Sequence, residues 1–296
     1  MPRIIDQLKQ GRRLLSDGAW GTFLQRKGLK PGECPELWCV THRADVLDIA
    51  RNYVAAGAEM IKTNSFGGSR IKLAVFGLGE RVAEINRAAA AISREAAGAE
   101  RAVIASMGPT GKLLLMGDIT EQELNAAFKE QAQALEAGGA DAALIESMSA
   151  LDETCLAIKA VRANTRLEII STLTFERTVK GDYRTMMGVS PSDMAQACLE
   201  AGADIIGANC GHGFRQMIEV VREIRAAAPS APILVHANAG LPIRRNGVDV
   251  FPDTPAMMAG FVPELLAAGA NIIGGCCGTT PEHIAAIAKA LHADKR

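Results

Sequence analysis

"AGADIIGANC" (201–210) and "AGANIIGGCC" (268–277) follow one plan. Each closes an alanine-rich segment with Ala-Gly-Ala, adds one polar residue and runs through apolar residues to a thiol. A glycine just past a helix suits a left-handed cap. The short apolar run suits a strand buried on both faces. "AGAEMIKTN" (56–64) and "GGADAALIES" (138–147) repeat the plan. Weaker copies are "RLLSDGAWGT" (13–22), "RAVIASMGPT" (101–110), "LEIISTLTFE" (167–176) and "PILVHANAGL" (232–241).

Strands are therefore predicted near 13–17, 59–63, 102–107, 141–146, 167–174, 204–209, 232–238 and 271–275. Helices are predicted near 43–56, 80–97, 121–138, 150–163, 192–201, 214–227, 255–268 and 281–291. Several open on helix-start signals, among them "DITEQE", "SPSD" and "TTPEH". Eight strand–helix units predict an α/β fold, a closed (β/α)8 TIM barrel spanning 1–296 as one domain. A doubly wound open sheet is the alternative. The N-terminal "MPRIIDQLKQGRR" lacks a signal-peptide core and reads as a short amphipathic helix.

Composition narrows the function classes. The net charge is -1, which leaves no excess of basic residues for a nucleic-acid partner. No apolar run reaches the roughly 18 residues that a membrane helix needs. Seven cysteines without an export signal point to reduced thiols in the cytoplasm. Ligand or catalytic roles are then expected rather than a disulfide framework.

The chemistry of such barrels sits at the C-terminal ends of the strands. Those ends carry Asp17-Gly18-Ala19-Trp20, Thr63-Asn64-Ser65, Gly108-Pro109-Thr110, Glu146-Ser147, Thr172 with Thr174, Asn209-Cys210, His236 with Asn238, and Cys276-Cys277. Cys34 and Cys39 lie in the first loop, and Cys155 and Cys198 inside helices. Strands six and eight flank strand seven, so Cys210 and the Cys276-Cys277 pair face each other across it. If these thiols point inward, their same-side neighbours Ala208 and Gly274 leave room for an ion. Gly275 and Gly278 would let one turn aim both adjacent thiols at one point. Buried cysteines also pack as ordinary core residues. Three at neighbouring strand ends fit a zinc site better, and three protein ligands leave a fourth position open. Zinc with three thiolates is a poor activator of water. It is suited to holding a further thiolate, which then attacks an activated methyl group.

The stretches "LLSDGAWGT", "KTNSFGGSR", "LIESMSALDE", "GANC", "HANAG" and "GGCCGTTPEHI" resemble the zinc-dependent homocysteine S-methyltransferases. The closest likeness is to the homocysteine-binding module of cobalamin-dependent methionine synthase, and it covers essentially the whole chain. No counterpart of the folate-binding, cobalamin-binding and activation modules is expected. The resemblance implies zinc on Cys210, Cys276 and Cys277, with Glu146 on the substrate amino group. It implies that the turn Asp17-Gly18-Ala19 holds the amino-acid part of L-homocysteine. Asn238 is implied to fill the fourth zinc position when substrate is missing. Ser147 stands where betaine-using relatives carry a tyrosine, which argues against betaine. Trp20 replaces a smaller residue and either shapes the donor pocket, offers a face to a cationic methyl group, or packs over the barrel mouth. His212 and His236 are expected near the metal but not on it.

Methyl transfer to L-homocysteine, giving L-methionine, is the expected activity. The expected donor is methylcobalamin or a methylated corrinoid on a separate protein; S-methylmethionine, another sulfonium, or a different small thiol acceptor are alternatives. The segment "FERTVKGDYRTMMGVSP" (175–191) is expected to form part of a donor-docking rim. A metal-free barrel such as an aldolase would need a strand-end lysine or paired carboxylates. Lys62 is placed for that role, but no acidic partner is readable for it. A non-catalytic corrinoid-system subunit is a third class, and metal analysis separates the three.

Overall fold

The barrel frame consists of β1 (Leu14–Leu15), β2 (Met60–Lys62), β3 (Ala102–Met107), β4 (Ala142–Met148), β5 (Glu168–Leu173), β6 (Ile205–Asn209), β7 (Ile233–Ala237) and β8 (Ile272–Gly275). The computed structural model describes residues 3–245 and 248–293. All eight strands pair in parallel, in the order β1-β8-β7-β6-β5-β4-β3-β2. The two ends of that order meet through a Ser16–Met60 bridge. Glu59 N–H donates to Leu15 O (2.8 Å) and Asp17 N–H to Met60 O (3.0 Å), which closes the barrel.

Side chains on a strand alternate between faces. Leu14, Met60, Ile104, Leu144, Ile170, Ile205, Leu234 and Ile272 fill the barrel interior. Their neighbours Leu15, Ile61, Val103, Ile145, Ile169, Ile206, Val235 and Ile273 pack outward against the helices. Two residues above the apolar interior layer, the inward positions become polar: Lys62, Ser106, Glu146, Thr172 and His236. The lower half of the barrel is thus a plug of aliphatic side chains, and the upper half carries the functional groups.

The predicted N-terminal helix is Ile4–Lys9. Its Ile4 and Leu8 join the interior cluster, so it stoppers the bottom of the barrel. The buried Glu168 carboxylate accepts from Ile4 N–H (2.7 Å) and Ile5 N–H (2.9 Å), capping that helix. Seven of the outer helices lie where the sequence places them. The predicted helix near 255–268 is instead two, Pro255–Gly260 and Val262–Ala268. Pro263 has no N–H to continue a ladder and its ring blocks the carbonyl four residues back, so the chain breaks at Phe261. The segment 175–191, expected to form part of a donor-docking rim, contains a hairpin, Glu176–Arg177 with Tyr183–Arg184. No helix among the described residues is long and apolar enough to cross a membrane.

Glu168→Ala leaves one buried and one half-buried N–H group without an acceptor. It should lower unfolding free energy by about 1–3 kcal/mol, against less than about 0.5 kcal/mol for the exposed Arg3→Ala. Chemical denaturation measures both.

Candidate active site

Strand β7 sits between the two thiol-bearing turns. Cys210 N–H donates to His236 O (2.9 Å) and Cys276 N–H to Ala237 O (2.7 Å). These bonds hang both turns from one strand end. The Sγ atoms of Cys210, Cys276 and Cys277 all lie within 4.8 Å of one another, and they form the one such His/Cys/Asp/Glu cluster among the described residues. Two thiolates at about 2.3 Å from a tetrahedral ion stand about 3.8 Å apart. The Cys210 and Cys277 Sγ atoms are 3.8 Å apart. The residues present therefore fit a thiophilic metal. Hydrogen bonds among the three thiols act in both directions, and burial together with the charge of a neighbouring thiol pushes each up to about 12. All seven cysteines are free.

Cys210 reaches the cluster by an unexpected route. Ala208 faces the helices, so it does not share a side with Cys210 as the alternation predicts. Cys210 has φ +60°, and this left-handed turn redirects its side chain. Ser147, at the end of β4, also has φ +60°. Asn209 ties the two together: its Oδ1 accepts from Ser147 N–H (2.8 Å) and Thr172 Oγ1 (2.7 Å), and its Nδ2 donates to Ser147 Oγ (2.7 Å). Such strain persists only where the surroundings over-determine it. At β8, Gly278 has φ +79° and a Cβ there would lie 2.1 Å from the Phe251 ring. Gly274 is also required, since its Cβ would meet His236 and Ser16 at 2.8 Å.

The thiols open onto a cavity of about 290 Å³, whose wall also includes Ala19, Trp20, Lys62, Ser106 and Glu146. Ser106 Oγ donates to Glu146 Oε1. Asp17, Gly18 and Asn238 stand outside that wall. Asp17 is fully buried, and its Oδ2 accepts from Trp20 Nε1 (2.8 Å) and Lys62 N–H (2.8 Å). Burial pushes the Asp17 carboxyl up to about 6, against the pull of Lys62 and the Trp20 hydrogen bond. Gly18 permits a close approach, but to the fold: its Cβ would meet Thr279 Oγ1 and the Tyr53 ring at 2.8 Å. Ala19 is fixed by Thr279 Oγ1 (3.0 Å) and Tyr53 OH (2.6 Å). Asn238 is buried, with an Oδ1 that has no hydrogen-bond partner among the described residues.

Lys62 corrects the sequence reading, because it does have acidic partners. Its Nζ lies 3.9 Å from Asp17 Oδ1. Burial pulls the Lys62 ammonium down, but Glu146 and Asp17 outweigh it and hold it above the ordinary lysine value. His236 is fully buried, and burial with nearby Lys62 keeps it well below the usual histidine range, hence neutral. Ser106 is a candidate site residue that motif reading missed, while Asn209 and Lys62 were named at strand ends without the contacts they make here. Counting in twos from the interior layer would have found Ser106.

The chain matches the homocysteine S-methyltransferase family over residues 14–291. It belongs to that family. This homocysteine S-methyltransferase domain is 34% identical to a methionine synthase of Mycobacterium tuberculosis over 99% of the chain and 26% of the relative. It is 32% identical to the methionine synthase of Mycobacterium leprae over 97% of the chain and 25% of the relative. The chain thus spans about a quarter of the length of these relatives. Its fold matches a metallated homocysteine methyltransferase of Escherichia coli with a TM-score of 0.77 at 22% identity, covering 95% of this chain and 97% of that one.

Gly18→Ala forces a methyl group against Tyr53 and Thr279. It should cost about 1–3 kcal/mol of stability, read as an earlier denaturation midpoint.

Proposed function

We propose that this chain methylates L-homocysteine to L-methionine, with the acceptor sulfur held on a zinc ion by Cys210, Cys276 and Cys277. The convergence of three thiols on a cavity that also holds Glu146 carries this reading. Zinc there would lower the substrate thiol's pKa so that the anion exists at neutral pH. Glu146, oriented by Ser106, receives the substrate ammonium. Ala19 and Trp20 close one wall, and Asp17 supports that wall from behind. The partnerless Oδ1 of Asn238 suits a stand-in for the substrate sulfur. The acceptor thiol gives up its proton to solvent, and the sulfur lone pair then forms the S–C bond as the donor–methyl bond breaks and its electron pair stays with the donor.

A methylated corrinoid on a separate protein is the proposed donor. The likeness to methionine synthases supports it. The hairpin Glu176–Arg177 with Tyr183–Arg184 is the proposed docking rim, because it packs beside the Cys210 turn. Glu176 lies 3.5 Å from His212 Nε2, and Tyr183 meets the His212 ring edge-on at 5.8 Å between centroids. A sulfonium such as S-methylmethionine is the second reading, favoured by the aromatic faces of Trp20 and Phe66 in the cavity wall.

Reduced protein should carry about one zinc per chain, absent in Cys210→Ala, which should lose at least roughly 100-fold in activity. Zinc-free wild-type protein would sink the reading. Wild-type protein should methylate homocysteine from methylcobalamin in a panel that also contains S-methylmethionine, betaine and methylfolate. Turnover with S-methylmethionine alone would select the second donor.

Deleting the hairpin tip between Thr178 and Asp182 should slow turnover with the donor protein several-fold and leave homocysteine affinity intact. Steady-state kinetics and calorimetry separate the two effects, and unchanged turnover would end the docking assignment.

A further inference from the structure

Lys62 is the one cation in the cavity wall among the described residues. It is 5% exposed, so water does little to solvate its ammonium. A buried ammonium needs partners for its donors. One donor reaches Gly275 O at a long 3.4 Å. The Asp17 carboxylate is 3.9 Å away, beyond hydrogen-bond distance, and its Oδ2 already accepts twice. Lys62 therefore faces the cavity with unspent donors.

Several other polar groups of that wall are engaged. Thr63 Oγ1 and Ser65 Oγ bond each other, and Ser65 Oγ donates to Ser106 O (2.7 Å). Asn64 Nδ2 donates to Pro35 O (2.7 Å). Ala19 N–H, in the turn expected to hold the amino acid, is taken by Thr279 Oγ1. Glu36 and Glu146 are acids. Lys62 on β2 and Glu146 on β4 are separated by a single strand, whose Ser106 contacts Glu146. A cation and an anion are thus presented side by side across roughly two strand spacings, about 10 Å between backbones and less between their long side chains.

Resting on the homocysteine reading above, we infer that Lys62 is the docking group for the carboxylate of the acceptor amino acid. Lys62 and Glu146 then form a clamp for a zwitterionic thiol, with Glu146 taking the ammonium. Lys62 is a specificity-determining residue: it selects an α-amino-acid thiol over a plain aminothiol.

The test compares L-homocysteine with aminopropanethiol, which is homocysteine without its carboxylate. Both are titrated into zinc-loaded wild type, Lys62→Met and Lys62→Arg, and both are assayed as methyl acceptors with whichever donor supports turnover. Wild type should bind homocysteine roughly 10- to 100-fold more tightly, the range for a hydrogen bond to a charged group. Lys62→Met should erase that ratio by weakening homocysteine alone, and Lys62→Arg should keep part of it. Equal weakening of both thiols in Lys62→Met, with zinc content retained, would overturn the assignment and leave Lys62 as a counter-charge to Asp17. Wild-type protein that does not discriminate between the thiols overturns it without any variant. If wild type methylates neither thiol from any donor, the functional reading itself fails.

Discussion

Both thiol-bearing turns hang from the C-terminal end of β7, and the site depends on that attachment. A metal-sized gap among three sulfurs tolerates little error. Cys210 comes from β6 and Cys276-Cys277 from β8, so the spacing is set by the register of two strand pairs. The pairings Asn209↔His236 and Gly275↔Ala237 bring the strand ends level. Slipping either strand by one residue would turn its side chains to the opposite face. The apolar lower half prevents that slip, since it would drive Ile205 or Ile272 out of the interior. Packing at the bottom of the barrel thereby determines chemistry at the top.

The same division explains the strained backbone. Cys210 and Ser147 adopt left-handed turns that cost of order 1–3 kcal/mol each. Asn209 bonds the Ser147 backbone and side chain and adjoins Cys210, so one amide steadies both. Thr172 adds a third bond to that amide. The cost is borne by an interior of fully buried aliphatic side chains and falls where side chains must be aimed.

The barrel was readable in the sequence because its signal is repeated and local. The cap glycine, polar step and apolar run recur around the chain, and the thiols close two of the copies. What was hidden needed register or backbone angles. Lys62 and Asp17 become partners only when β1 meets β2. The φ of Cys210 has no signature in "GANC". The hairpin is too short and polar to show a period of two, and the break at Phe261 came from Pro263 acting against an otherwise helical pattern. Gly18 stood out as a glycine, but the sequence could not say whether its missing Cβ faced a ligand or Tyr53.

Charge bookkeeping links these features to selectivity. A buried charge without a partner is expensive. Glu146 is hydrogen-bonded by a neutral hydroxyl, and Lys62 lies in the field of the Asp17 and Glu146 carboxylates without a hydrogen bond to either. Neither arrangement is complete within the protein. A ligand carrying an ammonium and a carboxylate completes both, whereas a neutral thiol of the same length completes neither. Sites built around unspent polar groups reject analogues more strongly than apolar pockets do, because the rejected ligand leaves those groups unpaired. On the proposed function, the thiols determine what chemistry can occur, and the Lys62–Glu146 pair determines which thiol arrives to undergo it.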